Sequence, residues 1–367
     1  MTDALPHATL ERMLQRLAPD GRLRETEPVE SGFSAVHRLT VDGGDLAECY
    51  LKCTPDGDGE GVSADARIQR LLEVETDIPV APVLGVVDEA PDLPAPFHLT
   101  AAVAGETLPY EAVGRLADDA MRGITRDVGR HLGALHSLDA VDSFGYVASG
   151  GPSLDGERPS GDPSDLRVVR GRETWPEYLW ARTRAELDRH ADSRFAELTD
   201  DLRTWFEERI ETLEGPFDPR LGRNDHGFHN LLVDTEAGRV TAQPDWAYTL
   251  AVPPAFDVEF AVYLYGGSFL AGLPGGRDRS VTTSSRHEVR GEPRDRRPLV
   301  REALLAGYEE TAPELVGRVR EPTPCYELLA ATRVMNDLGH LDLPEGSKRT
   351  VFERFRTDVE SVLAGQS

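Results

Sequence analysis

The chain has 367 residues, of which 39% are hydrophobic, so it is long enough for two structural units with a substantial core. Acidic residues outnumber basic residues by 65 to 40, which gives a formal net charge of −25. A surface this negative argues against nucleic acid or an anionic membrane as a partner. Only two of the basic residues, Lys52 and Lys348, are lysines. Many carboxylates with almost no lysine predict a halophilic protein, since high salt screens the repulsion between like charges.

Cysteine content and hydrophobic runs indicate the compartment. The three cysteines are too few for a disulfide framework, and the first residues carry acids without an apolar core, so they do not resemble a signal peptide. The longest charge-free apolar stretch, 260–276, is short and interrupted by glycine and proline, so it cannot span a bilayer. We therefore expect a soluble, cytoplasmic protein.

The N-terminal third alternates between helical and strand patterns. A short helix is predicted at 8–18, and a second helix at 63–75, with Ser63 as its N-cap. Strand patterns with a period of two residues lie on both sides of the second helix, three of them within 27–54 and one each at 78–87 and 96–103. These elements predict a small antiparallel sheet with one inserted helix.

Helical periodicity dominates after Gly105. Ile124, Val128, Leu132 and Leu135 form one apolar stripe of a helix at about 112–138. The remaining predicted elements are a loop at 148–165, a continuous or broken helical region at 175–213, a hairpin at 231–242, a flexible loop at 266–300, and helices at 299–318, 325–340 and 349–364. The predicted plan is α+β, with a small β-rich lobe at 1–103 and a larger helical lobe at 104–367. Ligands usually bind in the cleft between two such lobes.

The hairpin carries polar residues at both of its ends. Asn230 directly precedes the first strand and Asp245 follows the second, so folding at the turn brings the two side chains together. Oxygen donors of this kind suit Mg²⁺, which takes its remaining ligands from water and phosphates. Asp225, five residues before Asn230, could accept a hydroxyl proton beside such a metal site.

This segment resembles the catalytic and metal-binding segment of the kinase-like phosphotransferases, and among them the aminoglycoside phosphotransferase and choline kinase-like family. The family's segment reads His-Gly-Asp, four residues, Asn, and later Ile-Asp-Trp; the counterparts here are 223–225, Asn230 and 244–246. The resemblance implies a bilobal protein-kinase-like fold and transfer of the γ-phosphoryl group of ATP or GTP to a hydroxyl group of a small-molecule acceptor. It also implies Asp225 as the catalytic base or the residue that orients the substrate, Asn230 and Asp245 as Mg²⁺ ligands, and Asp257 as a structural acid that braces the loop.

The N-terminal lobe supplies an independent test of the resemblance. Enzymes of this kind hold the nucleotide phosphates with a lysine on the third strand, and Lys52 lies on the third predicted strand. Because the chain otherwise avoids lysine, a lysine at this position supports a specific need for an ammonium group. By position we expect Asp65 to pair with Lys52, with Glu60 or Glu73 as alternatives.

Two further stretches correspond to nucleotide-binding parts of the family. The turn after the first strand fits the loop that covers the phosphates, and its residues are Ser31, Gly32, Phe33 and Ser34. The segment 97–104 resembles the strand that links the lobes and bonds to adenine, which implies nucleotide contacts at Thr100 and Ala102.

The segment also departs from the family pattern at two positions. Arg223 stands where the family has His, and Asn224 stands where it has Gly, although Asn tolerates positive φ well. A catalytically weak pseudo-kinase that acts as a nucleotide-binding regulatory module is therefore the alternative. His226 and His229 leave two further readings open, a transition-metal site and a nucleotide-independent hydrolase. The acceptor and the oligomeric state are not predicted.

Overall fold

The computed structural model of the protein describes residues 5–29, 34–43, 46–54, 60–114, 116–267, 295–338 and 345–365. Within these ranges, none of the helices combines the length and the apolar composition that a membrane span requires. The predicted phosphate-covering residues 31–33 and most of the predicted loop at 266–300 lie outside the described residues.

The N-terminal lobe is a five-stranded antiparallel sheet with two helices. Its elements are α1 (His7–Leu17), β1 (Arg22–Val29), β2 (Ala35–Asp42), β3 (Glu48–Cys53), α2 (Glu60–Glu75), β4 (Val83–Val87) and β5 (Phe97–Ala101). The strand order is β1-β2-β3-β5-β4, and every neighbouring pair is antiparallel. The sheet and the inserted helix predicted from the sequence are thus confirmed, and β3 lies at the centre of the sheet.

The predicted start of α2 is wrong by one turn. The helix begins at Glu60, so Ser63 lies inside it and does not cap its N-terminus. The Ser63 hydroxyl instead donates to Asp88 Oδ1 at 2.6 Å, and Arg67 of the same helix donates to both oxygens of that carboxylate. The Ser63 side chain therefore bonds to Asp88 and does not cap the helix.

The connection between the lobes is bonded to the hairpin. Gly105 has a φ of 136°, and a Cβ atom there would collide with Thr241 Oγ1, so glycine is required at this position. The next residue, Glu106, exchanges both main-chain hydrogen bonds with Val233, at 3.1 and 2.9 Å. The hairpin is consequently held next to the point where the chain leaves the N-terminal lobe. The exact lobe boundary at 103 stays a prediction.

The C-terminal lobe is mostly helical. Its described helices are α3 (Tyr110–Val113), α4 (Asp118–His136), α5 (Trp175–Ala191), α6 (Thr199–Glu211), α7 (Pro254–Gly266), α8 (Arg297–Thr311), α9 (Val316–Val319), α10 (Pro324–Asp337) and α11 (Glu345–Leu363). The predicted stripe on α4 is buried. Gly129 on α4 and Gly307 on α8 let the two backbones approach closely, because a Cβ atom at either position would overlap a carbonyl group of the other helix.

Short strands complete this lobe. The predicted hairpin is confirmed as β9 (Leu232–Asp234) and β10 (Arg239–Ala242). A four-stranded sheet that the sequence did not predict has the order β7-β6-β11-β8, with β6 at Phe144–Ser149, β7 at Leu166–Arg172, β8 at Arg220–Gly222 and β11 at Leu250–Val252. Two of its strands have only three residues, too few for a periodic pattern. This sheet fixes both ends of the segment that carries the candidate site.

Candidate active site

Lys52 is at the centre of the candidate site. Its ammonium group donates to Asp65 Oδ2 at 2.7 Å and to Asp245 Oδ1 at 2.8 Å, and only 8% of its side chain is exposed. The three residues come from β3, from α2 and from the segment after β10. The structure therefore brings together side chains of both lobes that are far apart in the chain.

Asp65 is held on both carboxylate oxygens. While Oδ2 contacts Lys52, Oδ1 accepts hydrogen bonds from Gln69 Nε2 and from the Trp246 backbone N–H, each at 2.8 Å. The alternative partner Glu73 instead contacts Arg70 and Arg158. Of the acids that the sequence offered, Asp65 is thus the one whose described side chain reaches Lys52.

Opposite charges keep this group of residues ionised. Burial alone would lower the pKa of Lys52, but Asp65 and Asp245 together raise it above the ordinary lysine value. Burial would likewise raise the pKa of Asp245, whereas the Lys52 ammonium lowers it below the usual range. At neutral pH the site therefore contains the Lys52 ammonium group beside an ionised Asp245 carboxylate.

The loop from 223 to 230 is anchored to Asp257 on α7. The buried Asp257 carboxylate accepts hydrogen bonds from the backbone N–H groups of Arg223 at 2.8 Å and Asn224 at 2.9 Å. His226 Nε2 at 2.8 Å and His136 Nε2 at 3.2 Å also face it. Burial would raise the pKa of Asp257, but the two histidines and these hydrogen bonds lower it far below its usual value. Asp257 braces the loop, as the resemblance implies.

Two residues in this region have left-handed backbone conformations. Asn224 has φ 60° and Asp245 has φ 62°. Asparagine and aspartate are among the side chains that adopt this conformation at lowest cost. Asn224 therefore adopts the left-handed backbone conformation that a glycine at this position would favour. The replacement of the family's Gly by Asn224 is thus compatible with the shape of the loop.

Asp225 is bonded on both oxygens. Asn230 Nδ2 donates to its Oδ2 at 2.8 Å, and Arg333 of α10 donates to its Oδ1 at 3.0 Å. The Asp225 side chain remains 29% exposed. Because Asn230 turns its amide nitrogen toward Asp225, its Oδ1 is the atom that remains for a metal ion.

The donor set fits Mg²⁺. The Asn230 amide and the Asp245 carboxylate, which is 39% exposed, supply oxygen donors only, which Mg²⁺ prefers together with water and phosphate oxygens. Among the described residues, no group of three or more His, Cys, Asp or Glu side chains could hold a metal ion. His226 Nε2 is engaged by the Asp257 carboxylate at 2.8 Å. The geometry thus offers no support for the transition-metal reading within the described chain.

Some backbone groups of the two predicted adenine-contacting residues already form hydrogen bonds within the protein. Thr100 is paired with Tyr50 of β3 and Val83 of β4, and the Ala102 N–H donates to the Glu48 carbonyl group at 3.3 Å. An adenine contact at Ala102 would therefore use its carbonyl oxygen. Ser34 lies directly before β2 and is partly exposed. The nucleotide roles of these residues stay predictions.

Comparisons with known proteins place this geometry in a family. The sequence matches the family model described as "phosphotransferase enzyme family" over residues 25–315. The chain belongs to this phosphotransferase family. A sequence comparison with curated proteins gives no match.

Solved structures show which fold this phosphotransferase has. A candidate aminoglycoside phosphotransferase from Ralstonia eutropha gives a TM-score of 0.60 at 14% identity, with 98% of this chain and 97% of the other covered. A thermostable mutant of aminoglycoside phosphotransferase APH(4)-Ia with ADP and hygromycin B gives 0.54 at 15%, covering 96% and 98%. The GDP complex of wild-type aminoglycoside 2′-phosphotransferase-IIIa gives 0.56 at 13%, covering 97% and 99%. These likenesses confirm the bilobal protein-kinase-like fold.

Arg223 occupies the position of the family's histidine in this phosphotransferase. Its guanidinium group, in a residue that is 2% exposed, donates to Asn230 O at 2.7 Å, Pro244 O at 2.9 Å and Gln243 Oε1 at 3.1 Å. It also lies over the Trp246 ring, 4.5 Å from the ring centroid. Arg223 thus ties the segment before β9 to the segment after β10, which are the segments of Asn230 and Asp245.

Sequence reasoning missed several residues of the site. Gln69 and Trp246 fix Asp65, while Arg182 and Arg333 contact the loop from α5 and α10. Trp246 contacts Asp65 through its backbone N–H group. Every residue except proline has this group, so the residue type does not indicate the contact. The two arginines lie in helices of a chain in which nearly every basic residue is arginine, so composition could not single them out.

Proposed function

We propose that the protein transfers the γ-phosphoryl group of ATP or GTP to a hydroxyl group of a small molecule. The single observation that carries the proposal is the 2.8 Å contact between Lys52 and Asp245, which are 193 residues apart. This contact joins the sheet of one lobe to the segment that follows the hairpin of the other, and Asn230 at the opposite end of the hairpin bonds to Asp225. The family assignment supports a small-molecule phosphotransferase, and two of the three similar structures reported above contain ADP or GDP.

Different residues of the chain would bind the nucleotide and the acceptor. Lys52, held by Asp65, binds nucleotide phosphate oxygens, and Asp225 orients the acceptor hydroxyl group. As the acceptor oxygen bonds to the γ-phosphorus atom and the bond to the β-phosphate oxygen breaks, the hydroxyl proton passes to Asp225. Asn230 and Asp245 would hold Mg²⁺, which offsets the negative charge of the phosphates when bound. Positioning and electrostatics supply most of the rate in such reactions.

A nucleotide-binding module without turnover is the second candidate. One observation favours it, namely that Arg333 and Asn230 already engage both oxygens of Asp225. A carboxylate that keeps these partners can still accept one more hydrogen bond per oxygen, because each oxygen has two lone pairs. Both candidates therefore predict nucleotide binding, and only turnover separates them.

The experiment is a phosphoryl-transfer assay on the full chain in molar KCl with Mg²⁺. Labelled ATP or GTP is offered with a broad panel of hydroxylated metabolites, and nucleotide binding is followed by thermal shift. Asp225→Asn should reduce turnover by about 10²-fold or more, the range for losing a positioned general base, with little change in nucleotide affinity. Asp119→Asn, on an exposed residue of α4, is the matched control and should leave both unchanged.

Two outcomes would contradict the kinase proposal. Full turnover in Asp225→Asn would remove that carboxylate from the mechanism. A thermal shift with Mg²⁺ and nucleotide, but no transfer to any member of the panel, would favour the binding module instead.

A further inference from the structure

Two arginines approach the candidate catalytic loop from the C-terminal lobe. Arg182 on α5 donates to Asn224 Oδ1 at 2.9 Å, and Arg333 on α10 donates to the same oxygen at 3.1 Å. Arg333 also reaches Asp225 Oδ1 at 3.0 Å. Asn224 directly precedes Asp225, so two guanidinium groups converge on one amide oxygen next to the candidate base.

These arginines come from the lobe opposite to the residues that we assign to the nucleotide. Lys52 and Asp65, which we assign to the nucleotide, reach the site from β3 and α2 of the N-terminal lobe. Arg182 and Arg333 instead come from helices of the opposite lobe. Both Arg333, with 19% of its side chain exposed, and Asp225, with 29%, remain accessible to a bound molecule.

No described contact pairs Arg182 directly with a carboxylate. Its described hydrogen bonds go to the Tyr146 hydroxyl group at 3.3 Å and to the Asn224 amide oxygen, and its guanidinium group lies over the ring of Phe256. Burial would lower the pKa of Arg182, but neighbouring groups that include Glu186, four residues along α5, raise it, while Glu186 Oε2 itself accepts from Arg189 and Asn336. The Arg182 Nε atom is buried without a hydrogen-bond partner. The Arg182 guanidinium group thus has no ion pair among its described contacts, and the anionic group of a ligand would supply one.

The neighbouring arginine removes the alternative of a cationic acceptor. Arg333 forms an ion pair with Asp225 and offsets its charge. Among the described contacts, no other carboxylate pairs with Arg182 or Arg333. An ammonium group bound here would therefore face two guanidinium groups and little net attraction. A carboxylate or phosphate would face two planar donors of the kind that bind such groups with two parallel hydrogen bonds.

We infer that the acceptor carries an anionic group, a carboxylate or a phosphate, in addition to its hydroxyl group, and that Arg182 and Arg333 bind that group. The inference rests on the proposed function, since it concerns the second substrate of the same site. It names a class of acceptor chemistry and assigns Arg182 as a specificity-determining residue.

The first test compares acceptors that share a carbon skeleton but carry anionic, neutral or cationic groups. One series has a three-carbon skeleton (glycerate, glycerol phosphate, glyceramide and aminopropanediol), and the other has a hexose skeleton (gluconate, glucose phosphate, glucose and glucosamine). The full chain is assayed with Mg²⁺ and ATP or GTP at constant ionic strength. We expect the anionic members to have the highest kcat/KM in at least one series, and comparison of carboxylate with phosphate identifies the source of the charge. A neutral or cationic member with the highest kcat/KM in both series would overturn the inference.

The second test removes the charge of Arg182. Arg182→Gln should raise KM for the anionic acceptor by about ten- to one-hundredfold, the range for one lost charge-assisted hydrogen bond, and leave its neutral analogue nearly unchanged. Arg182→Lys should lie between Arg182→Gln and the wild type. Arg184→Gln is the matched control, because Arg184 is an exposed residue of the same helix and stacks on Trp180. An equal change for both acceptors, or an equal effect of Arg184→Gln, would overturn the assignment.

A binding measurement separates this inference from the proposed function. If no acceptor is phosphorylated, the kinase proposal fails, but calorimetry with the same compounds on the nucleotide-loaded protein still tests the anion site. Binding of an anionic member that is lost in Arg182→Gln and kept in Arg184→Gln supports the inference. Binding of no anionic member, or binding indifferent to Arg182→Gln, overturns it.

Discussion

Replacement of Arg223 tests whether this residue holds the candidate metal ligands in place. Arg223→Met removes the donors of two buried acceptors, the Asn230 carbonyl group and the Gln243 side chain, and of the partly buried Pro244 carbonyl group. An unsatisfied buried acceptor costs about 1–3 kcal/mol, so the two buried ones set a lower estimate of roughly 2 kcal/mol for the loss of stability. Arg223→Lys keeps the charge but lacks the planar fork, so we expect it to lose about 1–2 kcal/mol.

The functional consequence should appear in metal dependence. The carbonyl groups that Arg223 bonds belong to Asn230 and to the residue before Asp245. Loss of these two hydrogen bonds therefore loosens both candidate Mg²⁺ ligands, Asn230 and Asp245, at the same time. Residues that position metal ligands typically change metal affinity by about 10–100-fold when they are replaced. We therefore expect the Mg²⁺ concentration for half-maximal nucleotide binding to rise by about that factor in Arg223→Met.

The assay combines urea unfolding with Mg²⁺ titrations of nucleotide binding, both at fixed KCl concentration. Arg239→Met on β10 is the control, since it makes the same substitution in the same hairpin at a side chain that is 65% exposed. An unchanged urea midpoint and an unchanged Mg²⁺ requirement in Arg223→Met would refute the reasoning. Loss of stability with a normal Mg²⁺ requirement would limit Arg223 to a structural role.

Two other substitutions test the supports of the site. Lys52→Met leaves the buried Asp65 carboxylate without its cation and should cost about 3–5 kcal/mol in urea unfolding, together with most of the nucleotide affinity, whereas Lys348→Met in α11 should change neither by more than about 0.5 kcal/mol. Normal nucleotide affinity in Lys52→Met would exclude a phosphate-binding role for Lys52. Asp257→Asn should destabilise most above about pH 5, because the folded pKa of Asp257 is depressed, so its stabilisation is present above the unfolded pKa of about 4 and declines as the pH falls below it. A difference in unfolding free energy that does not shrink between about pH 6 and pH 3 would contradict this assignment.

Local patterns were sufficient for part of the fold and part of the site. The hairpin and the positions of Asn230 and Asp245 at its two ends follow from two short apolar runs and the turn between them. Lys52 stood out because the chain avoids lysine elsewhere, and Asp65 was expected from its position thirteen residues after Lys52. These features depend on residues that are close together in the sequence or on an unusual residue type.

Long-range contacts account for what the sequence did not predict. The pairing of β11 with β6 and β8 joins segments from three parts of the chain, and strands of three residues have no period to detect. Ser63 has the residue type of a helix cap, but its partner Asp88 is remote in sequence. Arg182 and Arg333 matter because their side chains reach the loop from helices that are remote in sequence, which no local pattern records.

The main-chain pairing between Glu106 and Val233 determines which part of the connection between the lobes belongs to the larger lobe. Because this ladder fastens the residue after Gly105 to the hairpin, the segment from Gly105 onward is fixed to that lobe. Along the chain, only the residues between Ala101, the last residue of β5, and Gly105 remain as the connection. A second tie lies elsewhere, since backbone groups of Val86 and Asp88 bond to residues 154–157. A change in the angle between the lobes would therefore have to be accommodated at both places, and not in the connection alone.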